Sequence, residues 1–346
     1  MSHVVGQLKA VAIGSFVSIA LFFSGLLTFV TPLPILYVYL VKGRIAGAMT
    51  AAVALTGVVA AYFFFMPQFA ATEGALSYFL MPGQGFYGYL PSELIRLGGT
   101  GYFVFFAAVG IALAEGARRK WDVLKWGGVA LIAGICVLAA LAVLSLHFGV
   151  DQTLGGIRSY LLNVFGEVAR VSEESGEVST QVAFLVDRAA DAADLFVRVL
   201  PGLAFAIAVL TVAINLIVSR RIVRGKHSFA HVHNIARFRV PDVLIWGVIV
   251  SGVAFFLDAY AVKSIWLRGI GLNGLIALGS LYFLQGMAVI VYFVQGIKAP
   301  LIRTLAYAAM IIFLQTVSLG LLVVGVADVW ANFRLRRWRT IHHHSQ

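Results

Sequence analysis

Long apolar runs with few charged residues recur along this chain of 346 residues, and they decide what it can fold into. Eight runs are long enough to cross a bilayer, and a ninth is short and begins at a proline-rich turn. Lipid offers the backbone no hydrogen-bond partner, so each long run is expected to be a helix. The nine predicted segments are 9–30, 31–42, 44–66, 94–116, 123–148, 199–219, 242–261, 269–296 and 301–329.

The composition agrees with a membrane protein. Hydrophobic residues make up 61% of the chain and charged residues only 12%, whereas a soluble domain carries about 25% charged residues. The sequence therefore predicts an all-α, polytopic transmembrane helical bundle in contact with the lipid bilayer. A formal net charge of +11 would suggest nucleic-acid binding in a soluble chain. Here the basic residues lie between apolar runs, where they set the orientation in the membrane, so no nucleic-acid partner is expected.

Clusters of lysine and arginine in short loops mark the cytoplasmic side of a membrane protein. All of them fall on one side if segments 9–30 and 31–42 form a hairpin or re-entrant pair that Pro32 and Pro34 break. The alternative is one long tilted helix across both segments, which would place Lys9 opposite the first cluster. The broken pair is favoured because the basic clusters of all the other loops then lie on the same side of the membrane. The clusters are Lys42 and Arg44; Arg118, Arg119, Lys120 and Lys125; Arg220, Arg221, Arg224 and Lys226; Lys298 and Arg303.

The C-terminal tail conflicts with this count of spans. The last predicted helix ends outside, yet the tail carries Arg334, Arg336, Arg337 and Arg339. Either the tail is an extracytoplasmic exception, or one span is miscounted. The sequence otherwise predicts a multi-pass protein of the bacterial cytoplasmic (inner) membrane.

One segment is expected to leave the bilayer. Residues 151–198 carry eight acidic residues against four arginines, as expected of a translocated segment. Their apolar residues follow helical spacing, which predicts two amphipathic helices turning near Gly176. This extracytoplasmic acidic hairpin separates an N-terminal transmembrane bundle, 1–150, from a C-terminal one, 199–333, with a basic tail at 334–346. Its apolar faces are open to the bundle, the lipid surface or a protein partner.

The sequence lacks the motifs of several kinds of functional site. The single cysteine, Cys136, lies inside an apolar run, which excludes a disulfide framework and a thiolate metal cluster. No Walker-type nucleotide motif occurs, so any ATP energy must come from a partner. His227, His231 and His233 have a metal-like spacing but no carboxylate or cysteine nearby, so a solvated loop is favoured. We expect no enzymatic activity, no metal and no cofactor.

Polar side chains inside apolar runs are the functional candidates, because each costs free energy unless it faces protein or water. Tyr282 and Gln285 share one stripe of a predicted helix. On the predicted topology Asp258, Asn273 and Asp328 all lie toward the outer leaflet, where they would line the mouth of a cavity. The five residues are the predicted substrate-binding site. The alternative is that the carboxylates lie at helix ends, hydrated or paired with Lys263, Arg268 or Arg334, and that the glutamine makes an interhelical hydrogen bond.

Small residues repeat every four positions along the first helix at Ala10, Gly14 and Ser18. Such a strip lets another helix approach closely. The partner is either another helix of this chain or the helix of a second protein.

A family resemblance comes from two groups of residues in the C-terminal third. They are Asn273 with Tyr282, Phe283, Leu284, Gln285 and Gly286, and the closing residues Gly325, Asp328, Trp330, Phe333 and Arg334. Over about 240–334 the chain resembles the YybS-like family of uncharacterised bacterial polytopic membrane proteins. That family in turn resembles the S-components of energy-coupling-factor transporters, which capture vitamins or metal ions and work with a transmembrane T-component and a pair of ATPases.

The resemblance implies a function. It implies a short, proline-marked second helix, here with Pro32 and Pro34, and a small-residue first helix, here with Ala10, Gly14 and Ser18, that docks on the T-component. The expected function is therefore that of an S-component-like subunit that binds a small solute such as a vitamin and is energised by a coupling subunit and ATPases. The rival prediction is a non-transporting scaffold that recruits envelope proteins through the 151–198 hairpin.

Overall fold

The computed structural model describes residues 2–25, 27–65, 88–121, 123–174, 187–222, 236 and 238–334. Within these ranges every regular element is helical, which confirms the all-α prediction. The α-helices are α1 (Ser2–Phe23), α2 (Pro32–Lys42), α3 (Arg44–Ala60), α4 (Ser92–Arg118), α5 (Val123–His147), α6 (Val150–Glu174), α7 (Ala189–Ile222), α8 (Leu244–Leu257), α9 (Ile265–Gln295), α10 (Pro300–Ile312) and α11 (Leu314–Ala331).

Seven helices of the described chain are long and apolar enough to cross a membrane, so the multi-pass prediction is confirmed. They are Val4–Phe23, Arg44–Phe64, Ser92–Arg118, Lys125–Val143, Ala189–Ser219, Leu244–Val262 and Ile265–Gln295. Two shorter apolar helices, Thr28–Lys42 and Thr316–Ala331, accompany them. The first of these is the predicted proline-started segment.

The chain divides into two compact units, which are described separately. The first comprises residues 1–121, 126–200 and 214–230, and the second comprises residues 122–125, 201–213 and 231–346. Helix α7 contributes residues to both units.

The N-terminal part of the first unit is a broken pair of helices. Helix α1 ends at Phe23, and the chain returns as α2 after a tip formed by residues 24–25 and 27–31, which we call the hairpin tip. The break confirms the predicted pair, and the alternative of one long helix across both segments is wrong. Proline at the start of α2 fits this break, because the first turn of a helix tolerates a residue without an N–H.

The two helices of this hairpin run antiparallel. Gly14 of α1 faces Val38 of α2, and Ser18, one turn further along α1, donates a hydrogen bond to the carbonyl oxygen of Thr31 at 2.9 Å. Two residues of the predicted small-residue strip are therefore packed inside the unit, and the third, Ala10, is partly exposed. The strip thus packs this chain's own helices.

Two of the predicted basic clusters meet at one end of the first unit. The guanidinium group of Arg44, at the start of α3, contacts the carboxylate of Glu115, and so do those of Arg118 and Arg119 at the end of α4. These clusters therefore share one end of the unit, as the orientation argument requires.

The predicted outer hairpin is described only in part. Its first arm is α6, and the turn near Gly176 lies outside the described residues. Its second arm is the start of α7, a single helix that contains Pro201 and includes a candidate span. An ion pair between Arg158 and Asp194, at 2.5 Å, joins the two arms.

The second unit is built on the hairpin of α8 and α9. Gly247 of α8 faces Leu278 of α9, and Phe255, further along α8, faces Gly271. Position numbers rise along α8 as they fall along α9, so the two helices are antiparallel.

Helix α11 packs on α9 and runs in the same direction. In three contacts between them, the two partners are separated by the same number of residues, so residue numbers rise together along both helices. The contacts are Gly279 with Leu322, Tyr282 with Gly325, and Gln285 with Asp328.

The predicted span 301–329 is therefore not one crossing. It consists of α10 and α11, which meet at Phe313, and the chain must return through α10 before α11 follows α9. The apolar composition is the same on both sides of the break, so hydropathy could not reveal it. Arg334, after α11, donates hydrogen bonds to the carbonyl oxygens of Ala236 and Phe238, at 3.0 and 2.8 Å. The conflict over the tail thus comes from counting α10 and α11 as one span.

Candidate functional site

The residues of the predicted site separate into two groups within the second unit. Tyr282, Gln285 and Asp328 lie around one buried node, whereas Asp258 and Asn273 lie toward the other end of α9.

The node centres on the carboxylate of Asp328. Its Oδ2 accepts hydrogen bonds from Gln285 Nε2, at 3.2 Å, and from Arg334 Nη2, at 2.7 Å. Its Oδ1 accepts one from the backbone N–H of Phe333, at 3.0 Å. Gln285 Oε1 in turn accepts the N–H of Val240, at 2.8 Å. The side chains of Gln285 and Asp328 therefore join α9, α11 and the segment before α8.

Two glycines make this arrangement possible. A Cβ atom at Gly286 would collide with the carbonyl oxygen of Leu321, and one at Gly325 would collide with the carbonyl oxygen of Tyr282. The backbones of α9 and α11 thus touch where they cross, and this brings Gln285 and Asp328 within reach of each other. In the sequence, both glycines belong to the residues of the family resemblance and carry no other signal.

The ion pair at the node is shielded from solvent. The side chain of Asp328 is 2% exposed and that of Arg334 is 15% exposed. A buried pair of this kind holds its geometry only when further hydrogen bonds satisfy the remaining donors and acceptors. The two backbone carbonyls bound by Arg334 meet that need. Arg334 was not among the predicted site residues, but the alternative interpretation named it as an ion-pair partner of the carboxylates. The structure contains two of the pairs of that alternative, Asp328 with Arg334 and Asp258 with Arg268.

Tyr282 differs from its neighbours at the node. Its ring is fully buried and packs with Val240 and Ile245. Its hydroxyl has no hydrogen-bond partner among the described residues. Of the predicted substrate-binding residues, it alone leaves a buried polar atom without a protein partner.

Asp258 lies at the opposite end of α9 from Asp328. It ends α8, where the helix widens into a π-helical turn, and pairs with Arg268 at 2.6 Å. Arg268 precedes Gln285 by 17 residues, which corresponds to about 25 Å along a helix. The expectation that Asp258 and Asp328 lie toward the same leaflet is therefore wrong, because α11 runs parallel to α9.

Asn273 joins two helices of the second unit. Its Oδ1 accepts the N–H of Gly202 at 2.6 Å, and its Nδ2 donates to the carbonyl oxygen of Gly269 at 2.8 Å. Gly202 follows Pro201, which has no N–H and interrupts the hydrogen-bond ladder of α7. Asn273 therefore fastens α9 to α7 beside the proline.

Replacing Asn273 by alanine is expected to destabilise the protein by about 1–2 kcal/mol, because the N–H of Gly202 loses its side-chain acceptor in a partly buried contact. Thermal unfolding of the detergent-purified protein measures the effect. Ser280→Ala is the control on the same helix, since the Ser280 hydroxyl bonds only the carbonyl of Ala277 within α9. Equal stability of the two variants would contradict the proposed fastening.

A second cluster of buried polar groups lies at the hairpin tip of the first unit. The Thr28 hydroxyl donates to the carbonyl oxygens of Phe22 and Gly25, at 3.1 and 2.9 Å. Asn215 of α7 donates its Nδ2 to the carbonyl of Phe29 at 2.7 Å. The hydroxyl of Thr31 is fully buried and has no partner in the described part of the chain.

The hairpin tip lies deep in the unit. Phe22, beside the tip, packs edge-to-face on Phe103 and Phe106 of α4, with ring centroids 5.3 and 6.2 Å apart. These two residues precede Glu115 by nine to twelve positions, or about 14–18 Å of helix. Because Glu115 marks the charged end and a hydrocarbon core is about 30 Å thick, the tip falls near the middle of the membrane.

The sequence revealed only part of this cluster. Pro32 and Pro34 indicated the break, whereas Asn215, which bonds the carbonyl oxygen of Phe29 at the tip, was not among the predicted site residues. Thr28 and Thr31 carried no signal, because threonine is common in membrane helices, where its hydroxyl can bond its own backbone.

No group of histidine, cysteine, aspartate or glutamate residues within the described ranges is arranged to hold a metal ion. The histidines at 227, 231 and 233 lie outside those ranges.

Comparison with known proteins places the chain in a family. Residues 94–329 match the family model described as Predicted membrane protein (DUF2232). The chain belongs to this family. The match covers most of the chain and includes the node at Asp328, but it begins after the hairpin tip. No curated protein and no solved structure matches the chain.

Proposed function

We propose that this DUF2232 protein is the solute-binding membrane subunit of a transport system in the bacterial cytoplasmic membrane, resembling an S-component. The observation that carries the proposal is the hairpin tip, where the helical backbone is interrupted near mid-membrane among buried hydroxyl groups. Non-helical backbone at this depth is tolerated only where protein covers it or where it lines a cavity. Broken helices of this kind form the solute sites of many transporters.

The chemistry of the tip favours an uncharged, hydrogen-bonding solute with a flat ring. The buried Thr31 hydroxyl, an uncharged group, has no hydrogen-bond partner in the described part of the chain. Aromatic rings lie beside Phe22, next to the tip: the ring centroid of Tyr102 is 6.0 Å from that of Phe22 and 4.6 Å from that of Phe106, and Tyr102 stacks on Phe105. A heteroaromatic, vitamin-like compound would present an edge to the Thr31 hydroxyl and a face to these rings.

The node at Asp328 has a different part in the proposal. Its groups are satisfied by protein, so it holds α9 and α11 together while the solute binds elsewhere. The Tyr282 hydroxyl, which has no partner among the described residues, lies in the second unit and is not part of the solute site proposed at the hairpin tip. Energy would come from a transmembrane coupling subunit and ATPases, because the sequence has no Walker-type motif.

The Thr31 hydroxyl provides the test. Thr31→Val keeps the shape of the side chain and removes a hydroxyl without a protein partner, so we expect the unliganded protein to be at least as stable as the parent. Thiamine, riboflavin and pyridoxine are added separately to the detergent-purified protein, and thermal unfolding is followed. At least one should raise the unfolding temperature of the parent, and Thr31→Val should lose that shift.

Thr56→Val is the matched control. Thr56 is exposed on α3 and bonds only the carbonyl of Ala52, so its variant should keep the full response. A parent protein that no compound stabilises, or a Thr31→Val variant that responds like Thr56→Val, would reject the proposal.

The rival scaffold function is favoured by one observation. Helix α6 lies outside the candidate spans, and its apolar residues Val168 and Val171 are exposed. A scaffold would lose a bound envelope protein on removal of residues 151–198 and would be indifferent to Thr31→Val.

A further inference from the structure

The basic end of the first unit gathers three arginines around one carboxylate. Glu115 accepts a hydrogen bond from the Tyr39 hydroxyl at 2.7 Å, one from Arg44 Nε at 3.1 Å and one from Arg119 Nε at 2.6 Å. Arg118 adds an ion pair through Nε at 3.5 Å. We call these five residues the Glu115 cluster.

The cluster carries an excess of positive charge at the surface. Three guanidinium groups against one carboxylate leave two positive charges. Glu115 is only 16% exposed, whereas the side chains of Arg44, Arg118 and Arg119 are 48%, 50% and 56% exposed. The neutralising carboxylate is thus underneath, and the cations face outward.

The carboxylate also orients the arginines. Arg118 and Arg119 both turn their Nε edge to Glu115, and their Nη atoms make no further hydrogen bond to the described part of the chain. A guanidinium group has five N–H donors in a fixed plane, which suits a phosphate oxygen better than an ammonium group does. The guanidinium groups of the consecutive residues Arg118 and Arg119 can therefore both donate hydrogen bonds to one anion.

The surroundings place this array at the membrane surface. The cluster lies where α2 and α4 end and α3 begins, at the ends of two candidate spans. The guanidinium of Arg119 lies 5.6 Å from the ring centroid of Trp121, and tryptophan favours the headgroup level of a bilayer. Tyr37 and Ile45, on the adjoining turns of α2 and α3, are exposed and offer apolar surface to acyl chains.

We infer that the Glu115 cluster is a binding site for the phosphate headgroup of an anionic phospholipid. The two surplus charges distinguish an anionic headgroup from a zwitterionic one, and the apolar residues beside the cluster distinguish a lipid from free phosphate. This inference does not depend on the proposed transport function.

Native mass spectrometry of the full chain tests the site. The detergent-purified protein is titrated with phosphatidylglycerol or with phosphatidylcholine, and retained lipid is counted. We expect a preference of between about fivefold and thirtyfold for phosphatidylglycerol, because each surplus basic group near an anionic headgroup contributes a factor of about five and the cluster has two of them. Arg118→Gln combined with Arg119→Gln should abolish the preference.

Arg170→Gln is the control, since Arg170 pairs with Glu167 on the exposed surface of α6 and should not affect lipid selection. Equal retention of both lipids by the parent, or an unchanged preference in the double variant, would overturn the site. Displacement of phosphatidylglycerol by excess inorganic phosphate would assign the cluster to free phosphate instead. If the double variant does not fold, the preference of the parent protein for phosphatidylglycerol is measured at increasing salt concentration. Salt should weaken an electrostatic preference. A preference that salt does not weaken also overturns the inference.

Discussion

Gly286→Ala should destabilise the protein by about 3 kcal/mol or more, near the upper end of overpacking effects. The new methyl group would collide with the backbone carbonyl of Leu321, and a backbone cannot move aside as a flexible side chain can. The collision outweighs the gain of about 1 kcal/mol that alanine normally brings inside a helix. The measurement is thermal unfolding of the detergent-purified variant, with size-exclusion chromatography to check that it is monodisperse.

Gly320→Ala is the matched control on α11. A Cβ atom there meets nothing within 4 Å, so this variant should be as stable as the parent or slightly more stable. Similar unfolding temperatures for the two alanine variants would show that α9 and α11 do not cross at Gly286.

Asp328→Asn should destabilise the protein by about 3–5 kcal/mol, the usual cost of removing one partner from a buried ion pair. The substitution keeps the shape of the side chain but leaves the guanidinium group of Arg334 without its counter-charge in a site that is largely closed to solvent. Denaturant or thermal unfolding of the purified variant gives the size of the loss.

The exposed pair of Arg239 and Asp242 supplies the comparison. Its side chains are 37% and 63% exposed, so Asp242→Asn should change stability by no more than about 1 kcal/mol. A double variant, Asp328→Asn with Arg334→Met, should recover part of the loss because it leaves no unpaired charge. A double variant as unstable as the sum of its single variants would show that the two side chains act independently.

The placement of Asp328 shows where sequence-based reasoning stops. The spacing of Tyr282 and Gln285 was enough to predict that they lie on one face of the same helix, since that spacing is set by the helix itself. Asp328 joins them only because α11 runs in the same direction as α9. Asp258, which the sequence placed beside Asp328, belongs to the far end of α9 for the same reason.

The sequence by itself determined that this chain is a multi-pass helical membrane protein, with a proline-marked break after the first helix. Both follow from local properties: the transfer of apolar runs into lipid and the missing N–H of proline depend only on neighbouring residues. Only the tertiary structure decided that α10 and α11 are two helices and that the buried hydroxyls gather at the hairpin tip. Both depend on contacts between residues far apart in the chain, such as the glycine crossing at Gly286 and Gly325, and hydropathy carries no information about which helices touch.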